Sequence, residues 1–293
     1  MTAKKVFVTG AGGQTGTQTL KWLNQVGENM EVYAGIHKGQ ESRQEDVVKS
    51  FKCCPCVTEG ADHKQLVDCF RDVQDLFIVP PSTDDKREVA CNYIKAAREA
   101  NVKFVLLLSV QGADGASHSW GAPFNQIERD LKETGSTDWC IIRVPFYMQN
   151  LMLYKQQIKQ GHLPLPLKEG KFAPIDVADV GKLAAWILKD CAPHKGMTYN
   201  ITGTEALDGK QMAKVFEKFC AREVLYKDIP AEEARTILKS QNVPEVEIKA
   251  LLDFYALAQE NTFEKVTEEF KDICGTPPKS LQDWVSEHKS ECM

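Results

Sequence analysis

The feature that most constrains this chain is a glycine-rich segment that joins an apolar run to a helical pattern. Residues 5–9 are apolar and β-branched, which predicts a buried strand. Residues 15–25 repeat apolar side chains at helical spacing. Gly10 and Gly13 stand between them, and Gly16 lies at the beginning of the helical pattern. Strand, glycine loop and helix in this order predict the first part of a βαβ unit that binds a phosphate-containing ligand.

The spacing of the glycines indicates which ligand. Gly10 permits a tight turn, Gly13 allows the backbone to approach a pyrophosphate, and Gly16 allows close packing of helix on strand. No Gly-Lys-Ser/Thr follows, which excludes a P-loop. We therefore predict a dinucleotide site at the helix N-terminus, formed by Gly10, Gly13, Gln14, Thr15 and Gly16.

The end of the second predicted strand indicates the form of the dinucleotide. NAD-binding proteins place an acidic residue there for the ribose 2′-hydroxyl, whereas a cation accommodates a 2′-phosphate. Residues 35–38 contain no acid and include His37 and Lys38. The sequence thus favours NADP(H) over NAD(H) as the cofactor, with an ordinary surface lysine as the alternative explanation of Lys38.

Strand and helix patterns alternate along the first half of the chain. Apolar runs at 31–36, 75–79, 102–108 and 138–144 are separated by helical patterns of 8–17 residues. This alternation predicts an α/β protein with a Rossmann-type, doubly wound parallel sheet. We assign residues 1–150 to a nucleotide-binding domain whose sheet also receives residues from 172–203. Residues 151–293 are assigned to a smaller, mostly helical substrate region that is interleaved with the first domain.

Charge and hydropathy exclude several classes of protein. The net charge is −5, and residues 207–293 account for it with 17 acidic against 12 basic residues. An acidic chain argues against binding to nucleic acid or to an anionic membrane. No apolar stretch approaches the ~18 residues of a membrane span. We therefore expect a cytoplasmic protein without membrane contact, whose ten cysteines are reduced.

One group of cysteines is dense. Cys53, Cys54 and Cys56 surround a proline. His63 and Cys69 are the nearest further metal-binding residues, but their spacing matches no zinc pattern, so no metal site is predicted. A redox motif would require a strand-to-helix setting that is absent here. We expect a short strand in which cysteines serve as small apolar side chains.

Several segments of the chain resemble the NmrA-like family, an atypical branch of the short-chain dehydrogenase/reductases. The glycine segment resembles the family's opening strand and loop, and residues 139–150 are similar to its W-T-I-L-R-P-x-x-F-M-x-N segment. Residues 172–181 are similar to its I-D-V-x-D-V-G segment, and 199–203 to the strand that follows. The resemblance implies an NADP-binding Rossmann domain with a smaller C-terminal domain for a small ligand. Family members include reductases of quinones, dyes and iminium compounds, and redox-sensing regulators.

Further site residues are expected in the loops after the strands, where doubly wound sheets bind ligands. Aromatic and apolar side chains in two of these loops indicate a pocket for a flat, apolar substrate, with closure of a domain interface as the alternative. The additional cofactor contacts that we predict are Pro80, Pro81, Ser109, Pro145 and Phe146. The predicted substrate contacts are Trp120, Tyr147, Met148 and Asn150.

The proton donor that is usual in short-chain dehydrogenases is missing from its expected place. No Tyr-x-x-x-Lys pair occurs in residues 109–135. His118 and Tyr147 are the candidate catalytic residues, and His118 is preferred because it follows the central strand. An ordinary loop histidine is the alternative interpretation.

Two functions agree with these features. The first is an NADPH-dependent reductase that transfers hydride to a small conjugated or cationic ring, such as a quinone or an iminium ion. The second is a non-catalytic NADP(H)-binding sensor in which loops 37–46 and 80–86 control a protein partner. The missing Tyr/Lys pair favours the sensor, and the aromatic loops favour the enzyme.

Overall fold

A computed structural model describes residues 3–37, 50–51, 53–133, 135, 137–220 and 222–292. These residues form two compact units that the chain enters more than once. The first unit takes the described residues of 1–109, 123–143 and 177–199. The second takes those of 110–122, 144–176 and 200–293.

The first unit is built on a seven-stranded sheet with the strand order β3-β2-β1-β4-β5-β6-β8. Pairs β3/β2, β2/β1, β1/β4 and β4/β5 are parallel. The order 3-2-1-4-5-6 is that of a doubly wound dinucleotide-binding sheet, which confirms the predicted fold class. The strands are β1 Lys4–Val8, β2 Met30–His37, β3 Cys54–Glu59, β4 Asp75–Ile78, β5 Phe104–Val110, β6 Asp138–Val144 and β8 Met197–Asn200.

Helices connect the strands of this sheet. They are α1 Gln14–Val26, α2 His63–Cys69, α3 Lys86–Glu99, α4 Ala122–Lys132 and α6 Val177–Lys189. α1 packs against α6, and α2 against α3. All seven residues of β5 are buried, as expected of a central strand covered on both faces. This burial explains why its sequence is a continuous apolar run.

The second unit contains a small sheet and most of the C-terminal helices. Its strands β7 His162–Leu165 and β9 Leu225–Asp228 pair in parallel. Its core is apolar and rich in aromatic rings, and every one of its longer helices contributes to it. The helical segments are a 3₁₀ helix Met148–Tyr154, α5 Lys155–Lys159, α7 Gly209–Phe219, α8 Ala231–Ser240, α9 Glu245–Gln259, α10 Glu269–Cys274 and α11 Leu281–Cys292.

One expectation about the cysteines is wrong. The predicted strand forms as β3, but Cys56 in this strand is joined by a disulfide to Cys69 at the end of α2. The other eight cysteines, all among the described residues, form no disulfide. The separation of 13 residues gave no spacing signal, because the bridge depends on how α2 folds back beside β3.

Candidate functional site

The glycine loop has the conformation that its spacing predicts. Gly10 has a φ of +58°, a left-handed conformation that glycine adopts without strain. A Cβ on Gly16 would collide with the carbonyl oxygen of Gly10 and lie 2.7 Å from Cα of Ala11. Only glycine at position 16 therefore allows α1 to begin so close to the turn.

Hydrogen bonds fix this loop to the carboxyl ends of β2 and β4. The backbone N–H of Ala11 donates to the carbonyl of Gly35 in β2 at 3.0 Å. Thr9 is fully buried, and its Oγ1 accepts from the N–H of Val79 at 2.9 Å. The loop is thereby held against the residue that precedes Pro80.

The N-terminus of α1 is suited to an anion. Gly13 is the N-cap and has no side chain to cap the first turn, which also contains no acidic residue. Gly12, Gly13 and Gln14 are exposed, whereas Thr15 is buried. Backbone N–H groups and the positive end of the helix dipole favour phosphate at such a terminus. The donor set thus fits the pyrophosphate of a dinucleotide.

The other predicted cofactor contacts of the first unit lie at strand ends. His37 is exposed at the last position of β2, and Pro80 and Pro81 follow β4 half-buried. Lys38 and loop residues 38–46 lie outside the described residues, so their roles stay predictions. Ser109 is fully buried near the end of β5.

The hydroxyl of Ser109 belongs to a buried polar network. Its Oγ donates to Oε1 of Glu128 at 2.5 Å. Arg143 donates to both carboxylate oxygens of Glu128, with Nε–Oε1 at 2.9 Å and Nη2–Oε2 at 2.7 Å. Lys132 lies 3.6 Å from Oε2. An arginine inside the apolar strand β6 was the sequence signal for this network, but the sequence did not identify its partner.

In the second unit, the predicted cofactor and substrate contacts within residues 145–150 differ in burial. Phe146 and Met148 are 1% exposed, and Pro145 is buried as well. The ring of Phe146 lies 5.2 Å from that of Phe254, within the aromatic core. Tyr147 and Asn150 are half-buried. Their roles in binding stay predictions.

Trp120 connects this aromatic core with the segment after β5. Its ring lies 4.9 Å from that of Phe254, and its Nε1 donates to the carbonyl of Gln111 at 3.0 Å. Its half-buried ring therefore has a fixed orientation at the edge of the core.

His118 precedes Trp120 by two residues and is half-buried. Its Nδ1 accepts the backbone N–H of Gly121 at 3.2 Å. A ring nitrogen that accepts a hydrogen bond carries no proton, so in the neutral ring the proton lies on Nε2. His118 can therefore act as an N–H donor through Nε2.

The sequence did not predict that Asp253 of α9 contacts the His118 segment. Its Oδ2 accepts from the backbone N–H of Ser119 at 2.7 Å and also from the hydroxyl of Ser119. The two residues are 134 positions apart, and no local pattern signals such a contact.

Two tyrosine hydroxyls meet in the aromatic core of the second unit. The hydroxyls of Tyr154 and Tyr255 lie 3.4 Å apart in the core. Burial raises the pKa of Tyr154 to about 12, and burial also raises the pKa of Tyr255. Both hydroxyls stay protonated at neutral pH and support the aromatic core.

The described part of the chain contains neither a cluster of metal-binding side chains nor a membrane-spanning helix. Within it, no three His, Cys, Asp or Glu side chains are grouped so that they could hold a metal ion. None of its helices combines the length and apolar character required to span a bilayer.

Known proteins with similar sequences and folds include reductases and a regulator. An NAD(P)H azoreductase of Xenophilus azovorans is 28% identical over 218 residues, which are 74% of this chain and 76% of the relative. An NADPH-dependent quinone oxidoreductase of Escherichia coli, solved with NADPH, has a TM-score of 0.87 at 21% identity and covers 97% of this chain and 99% of its own. NmrA, a negative transcriptional regulator solved with NADP, has a TM-score of 0.77 at 15% identity, with coverage of 98% and 95%.

The family model with the description "NmrA-like family" matches residues 2–283, nearly the whole chain. Because this match includes the glycine loop, the sheet and all but the last of the C-terminal helices, the chain belongs to the NmrA-like family.

Proposed function

We propose that this protein is an NADP(H)-dependent reductase of small conjugated or cationic ring compounds. The observation that carries the proposal is the glycine loop, whose uncapped helix N-terminus fits a pyrophosphate. The similarity to an NAD(P)H azoreductase and to a quinone oxidoreductase supports both the cofactor and the reaction class.

The first unit would bind the cofactor through its loop and strand ends. Backbone N–H groups of Gln14, Thr15 and Gly16 would hold the pyrophosphate, and His37 with Lys38 would bind the 2′-phosphate. Pro80 and Pro81 are proposed as further contacts. Bound NADPH supplies the hydride.

His118 is proposed as the proton donor, with Tyr147 as the second candidate. Reduction of a quinone to a hydroquinone consumes one hydride and one proton. The Nε2–H of His118 would pass that proton to the developing oxyanion while water returns a proton to the ring, so that no imidazolate remains. An iminium ion requires only the hydride. Trp120 and Asn150 are proposed substrate contacts, and the aromatic core would support a flat ring.

The experiment measures binding and turnover separately. Purified protein is titrated with NADPH and NADH, and nicotinamide absorbance is then followed with quinones, azo dyes and cyclic iminium compounds. We expect tighter binding of NADPH and its consumption with at least one class. Binding of NADPH without its consumption by any compound of the panel would contradict the proposed reductase function.

A non-catalytic NADP(H) sensor is the second candidate. The similarity to NADP-bound NmrA supports it, as does the lack of a Tyr-x-x-x-Lys pair in residues 109–135. It predicts binding of NADPH without turnover, together with a change in protease sensitivity of loops 37–46 and 80–86.

A further inference from the structure

We infer that Asp253 is a positioning residue for the proton donor His118. The inference rests on the proposed reductase function and assigns a role in that reaction to the acidic C-terminal part of the chain. Asp253 acts through Ser119, which follows His118 directly.

Asp253 attaches the segment that contains His118 and Ser119 to helix α9. One carboxylate oxygen of Asp253 accepts both the backbone N–H and the hydroxyl of Ser119. Hydrogen bonds to a carboxylate are shorter and stronger than those between neutral groups. Because the backbone N–H takes part, the carboxylate fixes the main chain and not only a side chain.

A ring contact between Trp120 and Phe254 lies beside this attachment. Next in the chain, the ring of Trp120 packs on Phe254, the neighbour of Asp253 in α9. Two consecutive residues of α9 thus hold two consecutive residues of the segment. This double contact restricts both translation and rotation of the backbone at Ser119.

Backbone N–H groups of the residues that follow orient the His118 ring. The N–H of Gly121 donates to Nδ1 of His118, and a Cβ on Gly121 would lie 3.1 Å from Cε1 of this ring. The N–H of Ala122 donates to the carbonyl of His118 at 2.9 Å. Ser119 lies between His118 and Gly121 in the chain and is itself fixed by Asp253. The His118 ring therefore keeps the tautomer in which Nε2 carries the proton.

The test measures steady-state kinetics with a quinone that the wild-type protein reduces. Asp253→Ala is expected to lower kcat by about tenfold to hundredfold and to change KM by less than about threefold, since misplacement of a catalytic group chiefly affects the chemical step. Asp253→Asn retains an acceptor oxygen and is expected to recover part of kcat.

The matched control is Glu247→Ala. Glu247 lies on the same helix, and in the described part of the chain its side chain forms no hydrogen bond or ion pair. The substitution removes the same charge and is expected to leave kcat unchanged. An equal loss in both variants would overturn the inference, because it would reflect helix α9 in general.

A double variant distinguishes positioning from stabilisation. If Asp253 acts through His118, Asp253→Ala should lower kcat only slightly further in a His118→Gln background. Independent, multiplicative losses would overturn the inference. An unchanged kcat in Asp253→Ala with intact His118 would overturn it as well.

A spectroscopic measurement does not depend on turnover. In ¹⁵N-labelled protein, ring ¹⁵N shifts assigned with His118→Gln should report an unprotonated Nδ1, and Asp253→Ala should shift these signals toward a tautomer mixture. Unchanged signals would overturn the positioning role. Failure of the wild-type protein to oxidise NADPH would instead contradict the proposed function, so the two failures are distinguishable.

Discussion

Arg143 and Glu128 form a bidentate ion pair whose side chains are only 9% and 2% exposed. The pair joins β6 to α4 within the first unit, and the hydroxyl of Ser109 adds a third hydrogen bond. Two charges withdrawn from water in this way depend on each other, because the loss of either leaves the other buried with much less compensation.

Arg143→Met is therefore expected to destabilise the protein. The change leaves the Glu128 carboxylate without its main partner, which costs roughly 3–5 kcal/mol in free energy of unfolding. Urea denaturation followed by circular dichroism measures the loss.

The double variant Arg143→Met/Glu128→Leu is the control for this change. It removes both charges and fills similar volume, so we expect it to recover most of the lost stability. A double variant as unstable as Arg143→Met would show that the arginine stabilises the fold through packing instead.

Gly13→Val tests the cofactor loop. Gly13 has an extended conformation that valine can adopt. Among the described residues other than its two chain neighbours, only the carbonyl oxygen of Gly10 lies within 4 Å of an added Cβ, at 3.3 Å. The fold should tolerate the change, whereas a bound pyrophosphate should not. We expect NADPH affinity to fall about a hundredfold or more, equivalent to roughly 2.8 kcal/mol.

Isothermal titration calorimetry measures this affinity, and thermal unfolding checks the fold. Asn24→Val is the matched control, because it places valine on the exposed face of the same helix α1. Retained NADPH binding in Gly13→Val would disprove the assignment of the loop.

Local patterns predicted much of the fold. Helices α8 and α9 begin and end where their apolar spacing and flanking prolines indicate, and the apolar run at 102–108 forms most of β5. By contrast, β9 was not predicted, because Leu225–Asp228 is mostly exposed and shows no alternation. Apolar spacing predicts one continuous helix over 151–160, whereas the structure divides this range between a 3₁₀ helix and α5.

Local patterns could not predict the contacts that complete the candidate site. The glycine loop was predictable because its chemistry lies within seven consecutive residues. The bond between Asp253 and Ser119 and the pair of Glu128 with Arg143 join separate elements. A carboxylate on a predicted helix looks the same in the sequence whether it faces water or a loop.

The disulfide between Cys56 and Cys69 is expected to stabilise the folded protein. A crosslink that closes a loop of this length lowers the entropy of the unfolded chain and contributes about 3 kcal/mol. The variant Cys56→Ser/Cys69→Ser should unfold at correspondingly lower urea concentration, and a reducing agent should destabilise the wild-type protein but not the variant. Cys54→Ser, at an exposed free cysteine, is the control. Equal urea midpoints for all three proteins would contradict the bridge.

The reactivity of the free thiol of Cys91 is expected to depend strongly on pH. It lies in a surface groove of about 560 Å³ beside α3 and α4, and its Sγ donates to Oδ2 of Asp130 at 2.8 Å. Burial, together with the hydrogen bond to Asp130, raises the pKa of Cys91 to about 11. Only roughly 0.1% is thiolate at pH 8, against about a quarter for an ordinary thiol, and the thiolate is the reactive form.

We therefore expect alkylation of Cys91 by iodoacetamide to be slow at pH 8 and to accelerate about tenfold per pH unit up to pH 10, because the thiolate fraction rises until pH passes the pKa. Asp130→Asn removes the negative charge that opposes ionisation, so it should lower the pKa and increase the rate at pH 8. Peptide mass spectrometry after timed quenching measures the rate at Cys91 separately from the rate at exposed Cys54. A rate at Cys91 that is independent of pH, or that is unchanged in Asp130→Asn, would show that access to the groove rather than ionisation limits the reaction.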